Sequence, residues 1–598
     1  METAVTEIVN DLAIHVATVN GSGSQSASMV LLRSIFQMGV PVSGKNLFPS
    51  NIAGLPTWYT IRASGAGWTA RKPDVDLLVA MNPESAREDV LSLHPGAAVL
   101  HDAALQLAPL RDDVTFYPLH FESLVAPITG DAKLKRLLRN TAWVGAVARL
   151  LSIELAEVER AIDHVFGKRL KSRELNVAAA RAGFEGAKGL EKRDPYVLRR
   201  MDGTTGKLLV DGNQAAAIGA LFGGVSVVAW YPITPSTSLV DALQTYLSRY
   251  RTAPDGKATY AVVQAEDELA ALGTVIGAGW AGARAMTATS GPGISLMSEL
   301  AGLAYYAEVP AVVWDVQRIG PSTGLPTRTS QGDMLSTAYL SHGDTRHLLL
   351  FPGTMVECFT MAGDAFDLAE RFQTPVFVLS DLDLGMNVWM SDPFPYPERP
   401  LDRGKVLSAA DLERLKGFAR YEDADGDGIG WRTLPGTEHP RAAYFTRGTG
   451  HDERADYSER PEVFERNMAR LARKVEGARA RLPAPVLTGS GSAEIGIVAV
   501  GSSDPAVREA IPQLRERGLE ADYLRIRAFP FAAAVREFVA RHARVYVVEQ
   551  DRDAQLLSLL RLDLPPQEGA KLRPVAHVTG VPLDARSVLE DLLALEGR

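Results

Sequence analysis

Short apolar runs separated by longer amphipathic stretches recur along most of the chain, and this rhythm predicts an α/β protein. Near the N-terminus the run IHVATV at 14–19 precedes a Gly/Ser loop and a helical pattern over 28–38. Further apolar runs at 76–81 and 97–100 flank a helix-like segment at 85–90. Strands alternating with helices imply a parallel sheet with crossover connections. Residues 168–207 are charged and mostly helical in pattern, which predicts a linker ordered on the surface of the next unit. A second series has strand candidates at 225–230, 261–264, 285–289, 311–315, 347–350 and 376–379. Six strands with helices between them predict a doubly wound domain. From 389 to about 484 the composition turns to Pro, Asp, Arg and Gly and then to a charged helix at 461–481, the pattern of a long connection without its own core. A last series has strand candidates at 495–500, 521–525 and 545–548, with a helix from Pro505 that should stop at Gly518. The boundaries expected from this pattern are 1–167, 168–207, 208–388, 389–485 and 486–598.

Composition narrows the reading. At 598 residues, and roughly 150 per domain, the chain should hold about four domains, or three large ones. Lys and Arg number 63 against 72 Asp and Glu, a net charge of -9, so there is no basic footprint for nucleic acid. The single cysteine, Cys358, excludes an intrachain disulfide and any cysteine-ligated iron–sulfur cluster or Cys₄ zinc site built by this chain alone. Met1, Glu2, Thr3 and Ala4, followed by Glu7 and Asp11, lack the basic start of a signal peptide, which predicts a cytoplasmic protein. The longest uncharged stretch, 212–240, contains Asn213, Gln214, Gly223, Gly224, Pro232 and Pro235. It reads as a helix, a turn, a strand and a loop, not as a membrane span.

Candidate chemistry sits in loops that follow strands. Gly21, Ser22, Gly23, Ser24, Gln25 and Ser26 join a strand to a helix, the context in which backbone N–H groups face an anion. Ser26 replaces the third glycine of a dinucleotide loop and no acid ends a second strand about 20 residues on, so NAD or FAD is disfavoured. A plain tight turn, or a site for a phosphate-bearing ligand such as a coenzyme A tail, remains. After the strand ending at Trp230 come Tyr231, Pro232, Ile233, Thr234, Pro235 and Ser236, where two prolines hold a rigid turn bearing hydroxyls. Its plainer role would be to cap the helix beginning near Ser238. Glu266, Asp267 and Glu268 then lie at a strand end ahead of a helix rich in Gly and Ala. The helix dipole accounts for Glu266 and Asp267. Glu268 faces small residues, where a buried carboxyl could hold a proton. The loop Thr289, Ser290, Gly291, Pro292, Gly293 is the third to converge on this edge. Asp423, Asp425 and Asp427 resemble the start of a calcium loop, but Leu434 stands where a bidentate Glu belongs, so a solvated acidic turn is expected.

These residues carry a family resemblance. YPITPST at 231–237, EDELAALGTVIGAGWAGARAMTATSGPG at 266–293 and QRIGPSTGLPTRTSQGD at 317–333 resemble the α subunit of the 2-oxoacid:ferredoxin oxidoreductases. The nearest type is the 2-oxoglutarate enzyme with a γ domain fused at the N-terminus. FPSNIAGLPTWY at 48–59, KPDVDLLVAMNPES at 72–85 and GDGIGWRTLPGT at 426–437 extend the resemblance over nearly the whole chain. It implies three doubly wound domains: a γ-type domain at 1–167, a pyrimidine-binding domain at 208–388 and a transketolase C-terminal-like domain at 486–598. The implied reaction turns a 2-oxoacid and coenzyme A into acyl-coenzyme A and CO₂, with electrons passing to ferredoxin.

The resemblance also implies a division of labour. Thiamine diphosphate would lie between subunits, its diphosphate and Mg²⁺ on a β subunit that also carries a [4Fe-4S] cluster, in an (αβ)₂ assembly. The pyrimidine-facing glutamate falls on Glu268, whose hydrogen bond to the ring nitrogen favours the imino tautomer that removes the thiazolium C2 proton. Cofactor contacts fall on Tyr231, Pro232, Ile233, Thr234, Glu268, Ser290 and Gly291. The substrate set falls on Thr234, on Arg318 as a two-pronged carboxylate grip, and on Arg328 for a second carboxylate. Arg318 could instead serve only as an ion-pair partner for a neighbouring acid. Pyruvate, a branched-chain or an aryl 2-oxoacid as substrate, or a non-catalytic scaffold subunit, are the competing expectations. No metal ligand is assigned to this chain.

Overall fold

The computed structural model describes residues 6–49, 54–167, 169–415 and 417–598. The Met1 to Ala4 start, residues 50–53 of the FPSNIAGLPTWY stretch and Lys168 lie outside the described residues. The chain divides into two compact units. One comprises Met1–Val210, Asn387–Pro393 and Asp584–Arg586; the other comprises Asp211–Met386, Phe394–Leu583 and Ser587–Arg598.

The first unit holds a six-stranded sheet in the order Val42–Leu47, Pro56–Ser64, Asp11–Val19, Leu77–Ala80, Ala98–Asp102, Thr115–Leu119. The last four are parallel, as the alternation of strand and helix requires. Pro56–Ser64 runs antiparallel to both of its neighbours, so the sheet expected to be parallel is mixed. The connection from Val42–Leu47 to Pro56–Ser64 is too short for a crossover helix and leaves only a hairpin-like return.

The segment 168–207, expected on the next unit, belongs to the first unit. Its helix Leu170–Gly186 packs within the first unit against Ala132–Leu150. A Cβ added to Gly183 would sit 1.8 Å from Ala142 O, and one added to Gly145 would sit 1.9 Å from Ala180 O. Ala179, Ala180 and Gly183 make this buried face flat, while Arg173 and Arg181 pair outward with Asp163 and Glu159. Gly183→Ala should therefore destabilise this unit by about 1–3 kcal/mol through overpacking. A thermal melt unchanged from wild type would show that the backbones do not meet this closely.

The second unit holds a seven-stranded sheet in the order Ala261–Gln264, Val227–Trp230, Ala285–Thr289, Ala311–Gln317, Pro375–Asp381, Leu348–Leu350, Ala528–Phe529. Six strands match the six apolar runs and are mutually parallel. The seventh, Ala528–Phe529, pairs antiparallel with Leu348–Leu350 and comes from the C-terminal series. A second sheet runs Val486–Thr488, Ala521–Ile526, Ile495–Val500, Arg544–Glu549, Leu572–Ala576. The helix Asp504–Glu516 ends as its sequence requires, with Gly518 at φ 76° just past the last turn. One apolar core joins the two sheets, from Val313, Leu349 and Phe377 to Val498, Leu524 and Phe538.

The connection between the two series is fastened by charge. Glu308 is buried and accepts from Arg470 at 2.5 Å and from Lys474 at 2.8 Å, both on the helix Pro461–Ala478. Burial alone would raise the Glu308 carboxyl, but Lys474 and Arg470 outweigh it and hold it at about 2. Because this pKa is depressed on folding, its contribution is full above the ordinary glutamate range and is lost as the pH falls toward 2. Glu308→Gln leaves two buried cations without their anion and should cost about 3–5 kcal/mol in urea unfolding at neutral pH. Equal stability of variant and wild type there would remove the cluster from the account. The acidic run at 423–427 is likewise ion-paired, not simply solvated. Lys405 Nζ lies 2.6 Å from Asp425 and 2.8 Å from Asp427, and Arg473 lies 2.6 Å from Asp423. Among the described residues no helix is long and apolar enough to cross a membrane.

Candidate active site

Val227–Trp230, Ala261–Gln264, Ala285–Thr289 and Ala311–Gln317 are neighbouring parallel strands, so the loops leaving their C-terminal ends open on one edge of the sheet. The first of these loops is tied from within. Ile233 O accepts from the Ser236 N–H at 2.9 Å, the Ser236 hydroxyl at 3.0 Å and the Thr237 N–H at 3.1 Å. Buried Asn213 donates to Pro235 O at 2.9 Å and to the Ser238 hydroxyl at 2.8 Å, clamping the turn from the helix Gly212–Phe222. The helix begins at Thr237, and Ser236 makes no side-chain capping bond, so the hydroxyl-bearing turn is not a helix cap. Thr234 is half-buried and Ile233 likewise, while Tyr231 and Pro232 are exposed.

Asp267 caps the next helix, Glu268–Trp280, by accepting from the Ala270 N–H at 2.7 Å. Glu268 opens that helix and is buried. It lies against the neighbouring loop. A Cβ added to Gly293 would meet Glu268 Cγ at 2.6 Å and Thr289 Oγ1 at 2.0 Å, so only glycine fits there. Gly291 is constrained in the same way, since a Cβ there would lie 2.8 Å from Asp333 Oδ1. The Ser290 hydroxyl, just before Gly291, is buried without a hydrogen-bond partner among the described residues.

Arg318 follows the strand Ala311–Gln317 and donates from Nη1 to Thr234 O at 2.6 Å. Burial lowers its pKa, opposed by the nearby charges of Asp333 and Glu268, and its buried Nε has no partner. Of Thr234, Glu268 and Arg318, expected to act together, Arg318 and Thr234 are in direct contact and the Glu268 charge acts on Arg318. Arg328 differs. A hairpin in which Ile319 N–H donates to Arg328 O at 3.1 Å returns its backbone beside Arg318, but its guanidinium donates to its own neighbour, Thr327 O, at 3.0 Å.

Two residues of this site escaped the sequence reading. Asp315 is fully buried within the strand, level with Thr289 of the adjacent one, and neither of its oxygens meets a donor. Asp333 returns after the hairpin and is fixed by its own N–H, which donates to Gln317 Oε1 at 3.0 Å. Burial and the Asp333 charge push Asp315 well above the carboxylate range, and burial pushes Asp333 up to about 6. The available signal was one acid inside the apolar run AVVWDV.

The first unit has its own candidate site. Gly21 and Gly23 take left-handed φ values of 79° and 83° in the loop after Asp11–Val19. A cavity of about 560 Å³ opens there, lined by Asn20, Gly21 and Asp102 on one side and by Lys133, Arg136 and Arg139 on the other.

Comparisons with known proteins agree with this geometry. A family model described as pyruvate flavodoxin/ferredoxin oxidoreductase, thiamine diphosphate-binding, matches residues 218–389. Another, described as pyruvate ferredoxin/flavodoxin oxidoreductase, matches 13–186. The 2-oxoacid:ferredoxin oxidoreductase 2 α subunit of Aeropyrum pernix is 32% identical, over 92% of this chain and 93% of that protein. The 2-oxoglutarate synthase subunit KorA of Methanothermobacter thermautotrophicus is 36% identical, over 58% of this chain and 88% of that protein. A solved 2-oxoglutarate:ferredoxin oxidoreductase from Magnetococcus marinus, with 2-oxoglutarate, coenzyme A and succinyl-CoA bound, superposes with a TM-score of 0.87 at 28% identity. That alignment covers 98% of this chain and 99% of the other. With a relative this similar along nearly its full length, the chain belongs to the α subunits of the 2-oxoacid:ferredoxin oxidoreductases.

Proposed function

We propose that this subunit serves the oxidative decarboxylation of 2-oxoglutarate with coenzyme A to succinyl-CoA and CO₂, with two electrons passed to ferredoxin. The observation that carries the reading is a buried glutamate, Glu268, whose charge acts on an arginine fixed to the Thr234 carbonyl. This donor set fits the aminopyrimidine half of thiamine diphosphate: a carboxylate for one ring nitrogen, a glycine floor at Gly291 and Gly293, and the wall of Tyr231, Pro232, Ile233 and Thr234. Thiamine diphosphate, when bound, supplies the carbon nucleophile for the 2-oxoacid carbonyl. Glu268 would hold and return the proton at the ring nitrogen. Arg318 has N–H groups left to grip the substrate's 1-carboxylate after bonding Thr234 O, with Ser290 and the Thr234 hydroxyl completing the polar lining. Arg328 would need to leave Thr327 to reach a second carboxylate. The names of the KorA relative and of the Magnetococcus marinus enzyme favour 2-oxoglutarate over pyruvate.

The β subunit is assigned the Mg²⁺, the diphosphate and the [4Fe-4S] cluster, since one buried cysteine cannot hold a cluster. Exposed Val263, Leu269 and Leu296, on and near the small-residue helix, support a partner surface here, and the reading includes an (αβ)₂ enzyme in the cytoplasm. The basic cavity beside Gly21 is assigned to the phosphates of coenzyme A. The γ-type, pyrimidine-binding and transketolase C-terminal-like modules are assigned to 1–167, 208–388 and 486–598. Co-purified with its β subunit, the enzyme should reduce ferredoxin with 2-oxoglutarate only when coenzyme A is present. Preference for pyruvate would overturn the substrate, and inactivity with every 2-oxoacid would overturn the function.

A further inference from the structure

The sheet edge opposite the loops after Trp230 and Thr289 carries two joined cavities. Arg284 immediately precedes the strand Ala285–Thr289 and Arg371 stands just before Pro375–Asp381, so this is the edge where the parallel strands begin. The helix Met355–Phe372 and the connection at 395–403 supply walls to both cavities. The larger, of about 800 Å³, is lined by Arg371, Arg399, Arg403, Arg481 and Arg527. The smaller, of about 380 Å³, is lined by Phe222, Phe359 and Tyr396. Asp364, Asp367, Arg399 and Leu401 line both, so the two adjoin. Each has the size of a small-molecule site, about 300–1,000 Å³.

Fastening the connection does not account for the charge gathered here. Glu370 is approached by three guanidiniums, Arg284 at 2.9 Å, Arg403 at 3.1 Å and Arg432 at 3.4 Å. Asp367 accepts from Arg284 again, at 2.7 Å. Buried Glu357 is approached by two, Arg525 at 2.5 Å and Arg527 at 2.8 Å. Asp364 pairs with Arg399 at 3.1 Å, and Asp402 with Arg371. Arg481, exposed at the rim, adds a further guanidinium, so cations outnumber carboxylates around the cavity. A guanidinium carries five N–H donors, which leaves Arg371 and Arg399 with donors beyond their acids.

A cavity of this charge attracts an anion, and forked guanidiniums match phosphate oxygens two at a time. The adjoining cavity suits a planar ring. Phe222 and Tyr396 meet edge to face with centroids 5.5 Å apart, and both are exposed, which leaves ring faces on which a base can stack. Asp364 and Asp367, where the cavities join, are acceptors for the hydroxyls of a sugar lying between base and phosphates. We propose that this edge binds a nucleoside polyphosphate, its phosphates among Arg371, Arg399 and Arg481 and its base against Phe222 and Tyr396.

The test uses the complex with its β subunit, free of 2-oxoacid, and ATP as the probe. Calorimetric titration should show ATP binding that weakens as ionic strength rises. Arg481→Gln, at an exposed position that the fold does not depend on, should weaken it about tenfold, the scale of one hydrogen bond to a charged group. Tyr396→Ala should weaken ATP by a similar factor and leave the binding of inorganic tripolyphosphate as it was. ATP shares its phosphates and base with the end of coenzyme A, so the place of binding is read separately. A photoreactive azido-ATP should label peptides that contain Phe222 or Tyr396. Labelling confined to the Gly21 loop would overturn the proposal, as would a complex that binds no ATP or an Arg481→Gln complex that binds it as tightly as wild type. Tripolyphosphate bound as tightly as ATP, with Tyr396→Ala indifferent to both, would overturn the nucleoside assignment.

Discussion

Replacing Glu268 by Gln should leave a complex that assembles normally and turns over about 10²- to 10⁴-fold more slowly, the range expected when a positioned acid–base group is removed. The fold has little reason to respond. The Glu268 carbon chain is buried close against Gly293, and Gln has the same shape. What the amide cannot do is take up and return a proton. Hydrogen exchange at C2 of bound thiamine diphosphate, followed by NMR, reads that step without the later electron transfers. Exchange at the wild-type rate would remove Glu268 from the chemistry, whatever happened to overall turnover.

Arg318→Lys should be almost as damaging, through a different observable. A lysine can present a charge but not two parallel N–H groups, and it cannot bond Thr234 O while gripping a carboxylate. Losing one partner of a buried, hydrogen-bonded charge pair costs about 2–5 kcal/mol, or roughly 30-fold to several thousand-fold in kcat/KM. Most of this should fall on KM. Steady-state kinetics with 2-oxoglutarate give the split. An unchanged KM would mean that Arg318 serves its acidic neighbours alone, the plainer role open to it from sequence.

The parts of the site that were legible in sequence are those with local causes. Prolines and glycines punctuate strand ends, so the turn after Trp230 and the loop after Thr289 announce themselves, and the apolar runs between them mark the parallel strands. Asp315 and Asp333 have no local cause. Each is unremarkable where it stands, and Asp333 comes beside Gln317 and Gly291 only because the hairpin closed by Ile319 and Arg328 folds the chain back. The helix Leu170–Gly186 was misplaced for a related reason. Its charges form a conspicuous outer face, while the flat inner face of Ala179, Ala180 and Gly183 carries no hydrophobic signal to weigh against them. The strand Pro56–Ser64 reads locally as a return from Val42–Leu47, but its place beside Asp11–Val19 rests on a pairing farther along the chain.

Ala528–Phe529 also sets a schedule for making the protein. Leu348–Leu350 has its outer edge covered only by those two residues, about 180 positions later in the chain. At 5–20 residues per second, that edge would stand bare for roughly 10–35 s after it emerges from the ribosome. During that interval its N–H and C=O groups could pair with any strand that arrives, including the same edge on a neighbouring nascent chain. Translation speed across 351–528 is therefore a determinant of yield in its own right, and fragments that stop short of Phe529 should be caught by chaperones more often than fragments that include it.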